Sequence, residues 1–192
     1  MAKKNQKIRV LFVCLGNICR SPLAEGIFRQ QVKAVGLSKH FTIDSCGTSR
    51  YHAGSPPDSG ARRVAANHDI RIQDIRSRQL EPSDYQHFDL IVCMDRTNVV
   101  GTRQLGNVRT DAGSNPDPLV MEQGELPPGI HLLRQWDPLV KLLRQQGRTI
   151  PPKRRDVPDP WGGGQAGFEA VYEIVDRSCQ GLLDHLRPRI ES

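Results

Sequence analysis

Three scarcities narrow the field before any motif is considered. Aromatic side chains are only 5% of the 192 residues, too few for the stacking platforms of single-stranded nucleic-acid binders. The five cysteines, Cys14, Cys19, Cys46, Cys93 and Cys179, are odd in number and include no C-x2-C pair, which argues against a disulfide framework and a structural zinc site. They fit a reducing cytoplasm. No apolar run is long enough to span a bilayer, so membrane insertion is not expected. MAKKNQK followed by IRVLFVCLG imitates a signal peptide, but the apolar stretch is short, contains Arg9, and meets NICR without a small-residue cleavage site.

What is present fits one core. A chain of this length with 37% hydrophobic residues is expected to form a single domain over 1–192. Its formal charge of +6 is dispersed except in PPKRR (151–155), so no nucleic-acid partner is expected and the positive field suits anionic ligands in general. PPKRR reads first as a solvated charge cluster and second as a reader of acidic sequence flanking a substrate site.

Ile8 to Cys14 is a continuous apolar run rich in β-branched residues, which predicts a strand buried on both faces of a parallel sheet. Ser21 is expected to cap a helix with Pro22 at its first position and Gly36 at its stop. FTIDSCGT (41–48) reads as a second strand, PPDSGARRVAANH as a second helix, FDLIVCMD (88–95) as a third strand and IHLLRQW (130–136) as a weaker fourth. Phe168, Val171, Val175, Cys179, Leu182 and Leu186 recur at helical spacing up to Pro188. Strands alternating with helices predict a three-layer α/β/α fold in which ligands bind at the carboxyl ends of the strands, where Cys14 stands. TDAGSNPDPLVMEQGELPPG (110–129) reads as an irregular loop and PLVKLLRQQG (138–147) as a short amphipathic helix; no internal repeat is evident.

Five residues separate Cys14 from Arg20, and Ser21 follows. A loop of this length between a strand and a helix can aim successive N–H groups at one centre, and the helix dipole adds positive potential there. That centre suits a tetrahedral dianion. Gly16 and Asn17 tolerate the positive φ that such curling needs. A cysteine at this helix N-terminus, beside a guanidinium, is expected to be held as a thiolate and to act as a nucleophile. Arg20 can fork onto two equatorial phosphoryl oxygens and Ser21 can donate to the sulfur. By itself C-x5-R arises often by chance; its place between a buried strand and a Ser-Pro helix start is what raises it. A general acid on a mobile loop is also required, and Asp159 in DVPDPWGGG (156–164), between two prolines and followed by Trp161 and glycines, is the candidate.

These residues resemble the low-molecular-weight protein tyrosine phosphatases. VLFVCLGNICRSPLAEGIFR carries the family signature; DSCGTS (44–49), SRQL (77–80) and FDLIVCMD match its middle, and VPDPWGGGQAGFEAVYEIV (157–175) its acid loop and last helix. The resemblance implies a Rossmann-like, four-stranded parallel sheet of the phosphotyrosine protein phosphatase I type, with helices on both faces. It also implies metal-independent, cofactor-free hydrolysis of protein phosphotyrosine through a phosphocysteine. Cys14 matches the nucleophile, Arg20 the phosphate-binding arginine and Asp159 the acid. Leu15, Gly16, Asn17, Ile18, Cys19 and Ser21 fall in the phosphate-binding stretch, with Ser45 supporting it. Cys19 matches a second cysteine that can form a protective disulfide with the nucleophile; a packing role is the alternative. Tyr51 and Trp161 match substrate-wall positions, and Tyr51 reads equally as a plain surface aromatic.

Some positions depart from the family pattern. Ile75 stands where a histidine is common, so a supporting hydrogen bond near Asp44 is expected to be absent or replaced. Trp161 and Gly162 stand where relatives carry phosphorylatable tyrosines. Two segments, near 107–129 and 138–155, are family-atypical insertions. An arsenate reductase of this fold needs a further cysteine pair, which Cys93 and Cys179 do not provide; a phosphoarginine phosphatase would have a small polar residue at Ile18. A non-catalytic phosphotyrosine-binding module would have lost Cys14, Arg20 or Asp159. His52 and His68 read as surface residues. The expected partners are phosphotyrosine proteins, with a cognate tyrosine kinase by family analogy.

Overall fold

Strand β1 spans Ile8–Cys14 in the computed structural model, which describes residues 7–106 and 129–191. Helix α1 (Arg20–Ala34) and strand β2 (Phe41–Gly47) follow, then helix α2 (Ser59–Asn67) and the single turn α3 (Asp84–His87). Strand β3 (Leu90–Cys93), helix α4 (Arg96–Leu105) and strand β4 (Gly129–Leu132) continue the alternation. Helices α5 (Pro138–Gln145), α6 (Gly164–Leu186) and α7 (Pro188–Glu191) close the order. The four strands pair in parallel in the order β2-β1-β3-β4, as expected of a three-layer α/β fold.

β1 is central, and its side chains alternate between two cores because strand residues point to opposite faces in turn. Val10, Phe12 and Cys14 join one cluster with Leu23, Ile27 and Phe28 of α1, Val64 of α2 and Val171, Val175 and Leu182 of α6. Leu11 and Val13 join the other with Cys46, Ile91, Cys93 and Val99 of α4. Phe28 meets Phe12 and Phe41 edge-on, with ring centroids 5.7 and 5.5 Å away, a geometry worth about 0.5–1.5 kcal/mol per pair beyond burial.

Several boundaries differ from the sequence-based expectation. α1 starts at Arg20 with Cys19 at its boundary and no side-chain cap. Ser21 does not cap it, because its hydroxyl turns inward to Cys14 and to the Cys46 carbonyl. The fourth strand stops at Leu132, and Leu133–Trp136 forms a 3-10 turn that buries Leu133 and Trp136. α4 was not anticipated: Val99, Val100, Gly101 and Thr102 are weak helix formers. Its start is secured by Asp95, whose side chain accepts from Asn98 N–H at 2.7 Å while Asn98 Oδ1 accepts from Asp95 N–H. The expected amphipathic helix in the 138–155 segment is α5. The irregular stretch expected at 110–129 lies outside the described residues except for Gly129.

His68 is not simply a surface residue. At the C-terminal end of α2, its ring stacks on Tyr172 of α6 with centroids 3.6 Å apart, and Nε2 lies 2.6 Å from Glu169. Gly181 lets α6 approach the Trp136 backbone closely: a Cβ there would stand 2.0 Å from the Trp136 carbonyl oxygen. Gly181→Ala is therefore expected to lower stability by about 3 kcal/mol, the upper end of ordinary overpacking, read as a lower urea midpoint at unchanged m-value.

Candidate active site

The loop from β1 to α1 curls back on the sulfur of Cys14. Asn17 turns it, holding φ 53° with its side chain fully buried; asparagine accepts this left-handed conformation more readily than most side chains. The turn brings Asn17 N–H to Cys14 Sγ at 3.2 Å, and Ser21 Oγ lies 3.1 Å from the same sulfur. Every polar atom of the Asn17 amide is used: Nδ2 donates to Ser21 Oγ and Ser45 Oγ, each at 2.9 Å, and Oδ1 accepts from Arg78 N–H at 3.0 Å. Ser77 Oγ donates to the Gly16 carbonyl at 2.9 Å. Gly47, at the end of β2, admits this loop: a Cβ there would lie 2.7 Å from the Leu15 carbonyl oxygen.

Arg20 is buried, and its guanidinium is shared between two carboxylates and a carbonyl. Nη1 donates to Asp95 Oδ2 at 2.6 Å and to the Val157 carbonyl at 3.1 Å, while Nη2 donates to Asp159 Oδ2 at 3.0 Å. Burial opposes its charge; Cys14, Asp159 and Asp95 outweigh that and hold the group protonated. Asp159 Oδ1 accepts from Trp161 N–H at 3.1 Å, which folds the segment after it into an Asx turn. The root of this segment is fixed by Val157 N–H donating to the Met94 carbonyl at 2.7 Å and by the ion pair of Arg96 with Asp156 at 3.0 Å.

A cavity of about 450 Å³ opens over the sulfur. Cys14, Ile18, Cys19 and Arg20 form its buried part; Leu15, Gly16, Ser49, His52 and Asp159 line its walls, and Tyr51 and Trp161, 91% and 66% exposed, stand at its rim. Asn17, Ser21 and Ser45 lie behind the loop instead of lining the cavity. His52 is a cavity residue that sequence reasoning assigned to the surface, and its Cδ2 sits where a Cβ on Gly16 would be 3.0 Å away. Asp95 and Arg78 were also passed over as site residues. For Arg78 a signal existed in the SRQL run. It holds Asp44 at 2.8 Å and Asp84 at 2.9 Å, while Ile75 is buried in the apolar core. Among the described residues no group of three or more His, Cys, Asp or Glu side chains is arranged to hold a metal.

A thiol and a protonated guanidinium thus line one cavity at the carboxyl edge of a parallel sheet, an arrangement whose charge and donors are suited to an anion. A model of the family described as low molecular weight phosphotyrosine protein phosphatase matches residues 9–113. The low molecular weight protein-tyrosine-phosphatase of Streptomyces coelicolor is 36% identical over 183 residues, covering 95% of this chain and 96% of that protein. Among solved structures, YfkJ from Bacillus subtilis superposes with TM-score 0.72 at 30% identity over 96% of this chain and 97% of that one. A Drosophila arginine phosphatase superposes with TM-score 0.73 at 26% identity, covering 94% and 98%. The chain belongs to the low molecular weight phosphotyrosine protein phosphatase family and is a hydrolase. Among the described residues no helix is long and apolar enough to cross a membrane.

Two titrations give measurable consequences. Burial, then Asp58 and Cys14, pushes the Cys19 thiol up to about 12. Cys19 is thus expected to resist iodoacetamide at pH 8 in the folded protein, as peptide mapping of the alkylated protein would reveal. Burial also raises Glu25 to about 7 from an ordinary 4.5. The folded state then binds more protons than the unfolded state between these values, so stability falls as pH rises through that window, by roughly 3 kcal/mol in full. Glu25→Gln should remove this slope in urea titrations from pH 4.5 to 8.

Proposed function

We propose that the protein hydrolyses phosphotyrosine in proteins through a phosphocysteine intermediate without a metal ion. The convergence of the Asn17 N–H, the Ser21 hydroxyl and the buried Arg20 on the region of Cys14 Sγ carries this reading. The Cys14 thiolate attacks phosphorus and the bond from phosphorus to the tyrosyl oxygen breaks, while Asp159 as the acid gives its proton to the departing oxygen. Arg20 and the loop amides take up the charge of the equatorial oxygens. A phosphoryl group on Arg20 competes with Asp159 for Nη2 and so releases the carboxyl toward the leaving oxygen. In the second step water attacks phosphorus, Asp159 accepts its proton, and Cys14 departs as a thiolate that receives the Ser21 hydroxyl.

The aromatic substrate is favoured by the wall. Ile18 presents an apolar side chain to the cavity, and Tyr51 and Trp161 offer faces on which a phenyl ring can stack. Likeness to an arginine phosphatase makes phosphoarginine the comparison substrate. The reading treats residues 1–192 as one phosphatase domain with additions near 107–129 and 138–155, working in the cytoplasm on phosphoproteins supplied by a cognate tyrosine kinase. The five cysteines, all free thiols, suit that compartment.

Phosphate release from phosphotyrosine, phosphoserine and phosphoarginine, measured in chelator, tests the reading. The expected result is a preference for phosphotyrosine, no turnover by Cys14→Ser, and kcat lowered about 100-fold or more in Asp159→Asn. Binding of phosphotyrosine without turnover by the wild type would replace the enzyme with a binding module.

A further inference from the structure

A second groove, of about 460 Å³, lies beside the cavity over Cys14, and Trp161 lines both. The groove is tied to the site on each side. Asp58, just before α2, donates its N–H to the Ile18 carbonyl at 2.7 Å, and Trp161 N–H donates to Asp159 Oδ1 at 3.1 Å. Phe168 of α6, 7% exposed, gives the groove an apolar part, with Gly60 of α2 seated so closely on its ring that a Cβ would stand 2.4 Å away. Gly162 and Gly164 border the groove as well, and a Cβ on either would meet nothing within 4 Å. Their bare backbone leaves room for another chain to lie against it.

Two charged side chains line the groove and differ in what they hold. Asp58 caps α2, its Oδ1 accepting from Gly60 N–H at 2.7 Å. Arg63, about one turn further along α2, is exposed, and among the described residues its guanidinium makes no hydrogen bond or ion pair. The acid is thus engaged by the backbone while the cation is left for a ligand. A guanidinium meets a carboxylate with two parallel N–H donors, and Phe168 suits the methylenes that carry such a carboxylate.

We propose that this groove is a subsite for a residue flanking the phosphotyrosine of a substrate protein, and that Arg63 makes it select an acidic side chain. The inference rests on the proposed hydrolase reading for the identity of its substrate. An extended chain covers roughly 10 Å in three residues, enough to pass the Trp161 ring, so the occupant stands within three places of the phosphorylated one. Arg63 does not line the cavity over Cys14. It governs which peptides are held and takes no part in the chemistry.

Phosphopeptides with Glu, Ala or Lys at each of the three places on either side of phosphotyrosine test the proposal, through kcat/KM at low salt with free phosphotyrosine as the reference. The wild type is expected to favour Glu over Ala at one of these places by roughly two- to fivefold, the worth of an exposed ion pair. Arg63→Ala should erase that preference and Arg63→Glu should turn it toward Lys, both leaving turnover of free phosphotyrosine unchanged. Arg62→Ala removes the same charge from the same helix outside the groove and is expected to keep the preference. A preference that survives Arg63→Ala, one that Arg62→Ala lowers equally, or a wild type indifferent to every place would overturn the proposal. A wild type inert toward phosphotyrosine refutes the hydrolase reading alone, since dissociation constants of the same phosphopeptides, measured by calorimetry, then decide the role of Arg63 by the same comparisons.

Discussion

The side-chain amide of Asn17 holds together parts of the molecule that are distant in sequence. Its two donors and its acceptor reach Ser21 on α1, Ser45 on β2 and the backbone of Arg78, so one buried group joins the first helix, the second strand and the long connection that follows α2. The left-handed backbone at the same residue costs of order 1–3 kcal/mol, and it is tolerated because three hydrogen bonds over-determine the conformation. The curl of the loop and the N–H directed at Cys14 depend on that arrangement. Aspartate at this position would keep the shape but lose both donors, leaving Ser21 and Ser45 without the bonds that orient them.

Arg20 organises the opposite side of the cavity. Its contact with the Val157 carbonyl ties the helix start to the base of the segment carrying Asp159, and Arg96 and Arg134 hold Asp156 just before it. Beyond this root the chain is exposed, with Gly162 and Gly164 at φ 77° and 60°. A firm base and an exposed tip allow a carboxyl to approach a ligand without moving the sheet. The same guanidinium thus connects the bottom of the cavity to the group at its mouth.

Much of this was legible from residue order. The apolar run of β1, the spacing from Cys14 to Arg20 and the Pro-Asp-Pro segment are local patterns, and local patterns survive in one dimension. So does the long apolar stripe of α6. The contributions of Asp95 and His52 and the partners of Arg78 were not legible, because each acts across a gap that only the fold closes: Arg78 reaches Asp44, 34 positions earlier, and Arg20 reaches Asp95, 75 positions later. His68 looked like a surface histidine for the same reason, since Tyr172 and Glu169 are a hundred positions away in sequence. Of the two roles expected of Ser21, the cap fails although a serine before a proline is a good cap in isolation, and the bond to the sulfur is the one the fold makes.

The two-sided pattern of β1 has a consequence for how this site can change. Cys14 shares its parity with Val10 and Phe12, while Leu11 and Val13 have the opposite parity. Inserting or deleting one residue within the strand would exchange the two layers and carry the thiol to the wrong side of the sheet. Frame and thiol position are therefore inherited together: variation that keeps Cys14 facing the cavity must also preserve the count of residues within the strand before it, whereas connections such as those around α5 can change length, because no strand keeps count there.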